Sequence, residues 1–154
     1  PAIGIGTTML LHCDLVYVSD EARLSMPFAS LGLVPEFGSS LLVPRLMGGR
    51  RAAEKLLLGD PFTAEIAVEC GIANAVLPAA EVLPHARRVA ERFNALPPNA
   101  VRESKRLLRE PDRAALLDAV KREAAVFTAQ LSSAEAREAM QAVLEKRKPD
   151  FSKF

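Results

Sequence analysis

The sequence predicts an α/β protein that becomes all-helical after its midpoint, and three observations predict it. Short strand-like runs, β-branched at 14–19, alternating at 22–26 and extended at 73–77, are interspersed with helical segments over residues 1–78. From residue 79 onward, apolar positions recur at helical spacing, with prolines between the pieces. With 154 residues, 49 % hydrophobic and 25 % charged, the chain has material for one core and too little for two.

Taken in order, Gly4 and Gly6 flank Ile5, and Thr7 and Thr8 stand where a short helix through Met9, Leu10 and Leu11 would start. Such a turn aims backbone N–H groups at a negative or partly negative oxygen. Met9 stands where a dinucleotide-binding turn needs its third glycine, which sets that reading aside. Residues 14–19 (DLVYVS) and 22–26 (ARLSM) read as strands across the turn Ser19-Asp20-Glu21. The loop 27–40, PFASLGLVPEFGSS, then sets one carboxylate, Glu36, among apolar residues. Ser39 is expected to cap a helix that carries Leu42 and Leu46 on one face, includes Pro44 and closes at Gly48-Gly49. Residues 51–58 form a helix, Thr63 opens another that ends at Gly71, and 73–77 is a third strand.

Beyond residue 78 the periodicity predicts four helices. They run over 82–96, over 99–109 after Pro97-Pro98, over 114–131 with Asp112 as cap, and from Ser132-Ser133 to about residue 146. The last carries Ala136, Ala139, Met140, Val143 and Leu144 as its apolar stripe, which suits a core or subunit interface.

Composition excludes several function classes. Lys and Arg number 20 against 19 Asp and Glu, without a long block of one sign, so a nucleic-acid partner is not expected. Cys13 and Cys70 form no C-x-x-C pair, and His12 and His85 lack metal-ligand spacing, so neither a metal site nor a disulfide frame is expected. No apolar run reaches the about 20 residues of a membrane span, and a cytoplasmic protein is the expectation. The opening PAIGIGTTMLLHC begins inside an apolar run, so further sequence is expected upstream.

These residues resemble a known family. The order of the GIG turn, the CDLVYVS strand, PFASLGLVPEFGSS, GRRAAEKLLLGDPFTAEIAVECGIANAVLP and the closing EAMQAVLEKRKPDF is similar to the second half of the crotonase superfamily, the enoyl-CoA hydratase/isomerase group. The resemblance covers essentially the whole chain. It implies that 1–78 is the C-terminal part of a ClpP/crotonase-type spiral ββα core, and that 79–154 is a helical region that covers the active site and builds a homotrimer or hexamer. It also implies an amino-terminal half with the CoA-binding loop and one oxyanion-hole amide, neither of which is in this sequence. The substrate would be an acyl-CoA, whose coenzyme A thioester reacts directly, with no separate cofactor.

Residue by residue, the resemblance places the second oxyanion donor at the backbone N–H of Ile5. Hydratases of the group carry two glutamates; here Thr8 and Phe28 stand at those positions, so water addition by the usual means is not expected. The loop is instead similar to that of peroxisomal-type Δ3,Δ2-enoyl-CoA isomerases, whose single acid corresponds to Glu36, with Phe37 as an extra residue before the glycine. Phe28, Leu31, Leu33 and Phe37 would line the acyl site and exclude water. Lys146 and Arg147 resemble a tail that reaches coenzyme A.

Each assignment has a plainer counterpart. A lone loop glutamate is ordinarily a solvated residue, Arg50-Arg51 and the EKRK tail read as solvated helix charge, and His12 and Cys13 read as core-adjacent. Another crotonase reaction, hydration included, remains the alternative within the family; a non-catalytic oligomerisation module is the alternative outside it.

Overall fold

A computed structural model describes residues 1–154. Five short strands make two small sheets. In the first, β1 (Ala2–Ile3) runs parallel to β3 (Arg23–Ser25), which pairs antiparallel with β4 (Phe62–Thr63). In the second, β2 (Tyr17–Ser19) runs parallel to β5 (Ala75–Leu77), with Val18 opposite Val76. Asn74 stitches the entry to that pair: its Oδ1 accepts from Val16 N–H at 2.7 Å, and its own N–H donates to the Val16 carbonyl at 2.7 Å. The strands at 14–19, 22–26 and 73–77 are thus present but shorter than their apolar runs. Strands β1 and β4, two residues each, were not predicted, because two residues carry no periodicity.

Helix α1 (Ile5–Thr8) continues as a 3₁₀ turn, Met9–His12, so the helix expected over residues 9–11 starts earlier. Thr7 does not cap it. Its hydroxyl lies 2.6 Å from the Ala2 carbonyl and 3.0 Å from that of Ser25, tying the ends of β1 and β3 together. Helix α2 (Ser39–Met47) has the predicted bounds and contains Pro44, but its cap is Gly38, not Ser39. The buried face is Ser39, Val43 and Met47, while Leu46 is exposed. Helix α3 (Gly49–Ala53) runs into a π-helical turn, Glu54–Leu58, in place of one regular helix over 51–58. Thr63 caps α4 (Ala64–Glu69) as expected.

The helical half departs most from expectation. Helix α5 (Ala79–Arg92) ends in a 3₁₀ turn and buries no residue. Helix α6 (Pro98–Leu131) is one element of 34 residues, roughly 50 Å long at 1.5 Å per residue, where two helices were predicted. Pro111 lies inside it and removes a single N–H without ending it. Asp112 caps nothing; its carboxylate pairs with Arg45 of α2 at 2.5 Å. Helix α7 (Ala134–Leu144) is capped by Ser133, whose Oγ accepts from Ala136 N–H at 3.0 Å. Its inner face is Ala136, Ala139 and Ala142, and Val143 and Leu144 of the expected stripe point outward.

A cluster of 16 buried side chains between Leu11 and Ala73 forms the core, with Leu24, Met26, Val43 and Phe62 at its centre. Glycine at position 32 is what lets α7 approach it. Gly32 is left-handed, with φ +66°, and a Cβ there would stand 2.6 Å from the Ala136 nitrogen.

Candidate active site

The glycine turn and the acid loop meet at one end of the first sheet. After β1, Gly4 turns with φ +56°; its N–H donates to the Ser25 carbonyl at 2.9 Å, and its own carbonyl accepts from Thr7 and Thr8 N–H at 2.8 and 3.0 Å. Ile5 is therefore the first residue of α1, and its N–H has no carbonyl four residues back inside the helix. Its side chain is largely exposed. Phe28, buried just after β3, backs this turn: a Cβ on Gly4 would sit 3.8 Å from its ring.

The loop then brings Glu36 to the same helix. The Thr8 hydroxyl donates to Glu36 Oε1 at 2.5 Å, and Thr8 itself is fully buried. Thr8 is thus a hydrogen-bond donor to Glu36. Phe37 and Gly38 follow with φ +57° and +78°, two consecutive left-handed residues. Three side chains hold this conformation. The Ser39 hydroxyl donates to the Glu36 carbonyl at 2.6 Å. His12 Nε2 lies 2.7 Å from the Phe37 carbonyl, which can only accept, so Nε2 carries the proton. The His12 and Phe37 rings also lie in contact, with centroids 4.2 Å apart. From α6, Glu123 accepts from Gly38 N–H at 2.6 Å and from Ser40 N–H at 2.8 Å.

Ile5, Phe28 and Glu36 are brought together through Gly4 and Thr8. Leu31 and Leu33 are half-buried on the same loop, whereas Phe37 is 40 % exposed and gives its ring to His12. Lys146 and Arg147 belong to a separate surface cluster. Arg147 pairs with Glu138 and Glu145, at 2.5 and 2.6 Å, and these partners raise its already high pKa. Its guanidinium in turn holds Glu138 well below the usual carboxylate range, at about 2. Lys146 is left-handed at the end of α7, with φ +53°.

The largest groove, about 720 Å³, lies elsewhere, between the segment before β2 and the start of α6. Leu15, Phe93, Leu96 and Leu108 line it, and Lys105 and Arg109 converge on Asp14 at its edge. The Lys105 ammonium, more than Arg109, holds the Asp14 carboxyl below its ordinary range. None of the predicted site residues reaches this groove. No group of three His, Cys, Asp or Glu is placed to hold a metal ion, and no helix is long and apolar enough to cross a membrane.

Sequence reasoning missed three participants. The sequence offers Thr8 as a helix-start residue and as the replacement of a glutamate, His12 as core-adjacent, and Glu123 not at all. For Thr8 a signal existed, since a small hydroxyl one helical turn after the glycine pair is placed to meet a polar group. Glu123, on a helix whose other glutamates face water, offers no local signal.

Comparison with known proteins gives the chain a family. Residues 1–153 match the profile of the enoyl-CoA hydratase/isomerase family. Over 150 residues the chain is 31 % identical to 2,3-dehydroadipyl-CoA hydratase of Escherichia coli, covering 97 % of the chain and 59 % of that protein. It is 39 % identical over 113 residues to enoyl-CoA delta isomerase 2 of Rattus norvegicus, covering 73 % of the chain and 29 % of that protein. Among solved structures, OdaA of Pseudomonas aeruginosa aligns with TM-score 0.91 and 52 % identity over 94 % of the chain and 59 % of OdaA. An enoyl-CoA hydratase/isomerase from Pseudoalteromonas atlantica aligns with TM-score 0.95 and 42 % identity, over 99 % and 61 % respectively. The chain thus spans no more than about three-fifths of these relatives.

Proposed function

This chain belongs to the enoyl-CoA hydratase/isomerase family, with the crotonase fold, and from that premise we propose that it isomerises a 3-enoyl-CoA to the 2-enoyl-CoA with Glu36 as the single acid-base group. Glu36 takes a proton from C2, and the electron pair moves onto the thioester oxygen as a dienolate. The Ile5 N–H donates to that oxygen, a contribution of about 3 kcal/mol for one such donor. Glu36 then returns the proton at C4 as the double bond settles between C2 and C3. Phe28, Leu31 and Leu33 keep water from the dienolate. The coenzyme A thioester is itself the substrate and no cofactor is used. The second oxyanion amide comes from outside these 154 residues, and the working protein is a homotrimer or hexamer.

The observation that carries this reading is the Thr8–Glu36 hydrogen bond, which puts a neutral hydroxyl where hydration would need a second carboxylate. Hydration of a 2-enoyl-CoA is the second reading, favoured by the Escherichia coli hydratase that aligns along 97 % of the chain. The test is Glu36→Gln in the protein expressed with its natural flanking sequence. Isomerisation of 3-enoyl-CoA should fall by about 10²- to 10⁴-fold, the usual share of one acid-base group, with coenzyme A binding nearly unchanged. Undiminished isomerisation removes Glu36 from the chemistry, and robust hydration of 2-enoyl-CoA by the unaltered protein would favour the second reading.

A further inference from the structure

Helix α2 begins directly behind the acid loop, and its first N–H groups need acceptors. No side chain of the loop supplies one, because the Ser39 hydroxyl is turned to the Glu36 carbonyl and Gly38 has no side chain. The acceptor arrives instead from α6. Glu123 is only 7 % exposed, and its two oxygens take Gly38 N–H and Ser40 N–H, 85 and 83 positions away. A carboxylate withdrawn this far from water is tolerable only with such donors, and the amino end of a helix favours its charge. The same face of α6 closes over Gly38. A Cβ on Gly38 would strike Leu116, two turns before Glu123, and would touch Val120, one turn before it, at 3.5 Å.

We propose that Glu123 is a positioning residue for Glu36. By clamping Gly38 and Ser40 it fixes the left-handed pair Phe37-Gly38, and so the direction in which the carboxylate two residues earlier points. A local Asp or Asn would cap α2 equally well for stability. A cap delivered from α6 ties the aim of the acid to the docking of the helical half. The inference rests on Glu36 being the acid that carries the proton.

The experiment compares Glu123→Gln, Glu123→Asp and Glu36→Gln on 3-enoyl-CoA in D₂O, reading kcat, KM and the deuterium gained at C4 per turnover. Glutamine keeps the shape but turns one acceptor into a donor that faces an N–H. Glu123→Gln should lower kcat about 10- to 100-fold at nearly constant KM, as misplacement of a reacting group by about 1 Å does. It should also raise deuterium incorporation, because a loosened acid exchanges its proton with solvent before returning it. A lower fraction of folded enzyme cannot change that ratio. Glu123→Asp, which keeps both acceptors on a shorter stem, should change both quantities in the same direction and less, and it carries the test if the Gln variant does not fold. Unchanged kcat and deuterium content in both Glu123 variants, with Glu36→Gln inactive, would overturn the positioning role and leave the acid assignment standing. An active Glu36→Gln enzyme would overturn both.

Discussion

Residues 1–78 gather a core of 16 side chains that includes Leu24, Met26, Val43 and Phe62, whereas residues 79–154 bury only Ala119, Glu123, Ala136, Ala139 and Ala142. The first half is held by apolar burial. The second buries four alanines and one carboxylate, packs the partly buried Phe127 against the core, and leaves Leu107, Leu108, Val143 and Leu144 more than 60 % exposed. Yet both halves grip the same loop, the first through Thr8 and His12 and the second through Glu123. The only buried carboxylate of the helical half is thus the one that holds the loop bearing Glu36.

The strongest way to break this arrangement is at Gly32, where α7 rests against the core. Gly32→Val adds a branched side chain at φ +66° and drives it into the Ala136 backbone. A loss of about 3 kcal/mol or more in unfolding free energy is expected, measured by denaturant titration, with α7 losing amide protection first. A neutral result would mean that α7 does not depend on this close approach.

A smaller effect sharpens the contribution of the first half. Thr8→Val keeps the buried shape and removes the hydroxyl that donates to Glu36. A hydrogen bond to a charged group is worth about 1.5–3 kcal/mol, so kcat for isomerisation should fall about tenfold or more while the fold persists. Equal kcat in the two proteins would leave Glu123 as the main control on the acid.

The smallest effect concerns the tail. Glu138 sits at about 2 in the folded chain because Arg147 holds its carboxylate, against an ordinary value near 4.5. A carboxyl depressed by folding contributes stability that is present above pH 4.5 and is lost as the pH falls toward 2. Arg147→Ala should therefore lower Tm slightly at neutral pH and leave the acid end of the Tm–pH curve unchanged. A uniform drop at every pH would point to packing instead of charge.

Much of this was legible in the sequence because it rests on local chemistry. The Ser133 and Thr63 caps, the bounds of α2 and the strand centres at Tyr17–Ser19 and Ala75–Leu77 follow from side chains acting on neighbours a few positions away. Asp112 misled for the same reason. It has the chemistry of a cap, but with α6 continuous across Pro111 its carboxylate goes to Arg45 on another helix. Strand β4 was invisible because Phe62 and Thr63 become a strand only by pairing with Leu24 and Arg23.

The sequence by itself determined the α/β character of the first half, the helicity of the second, and a single acid at Glu36 with a hydroxyl at position 8. Tertiary structure alone decided that the hydroxyl and the acid touch, that Phe37 takes a left-handed turn against His12, and that a glutamate from α6 closes the loop. The physical reason is range. Propensity, capping and periodicity act across a few residues, whereas a buried carboxylate is recognisable only from the amides it meets, and those lie more than eighty positions away in the chain.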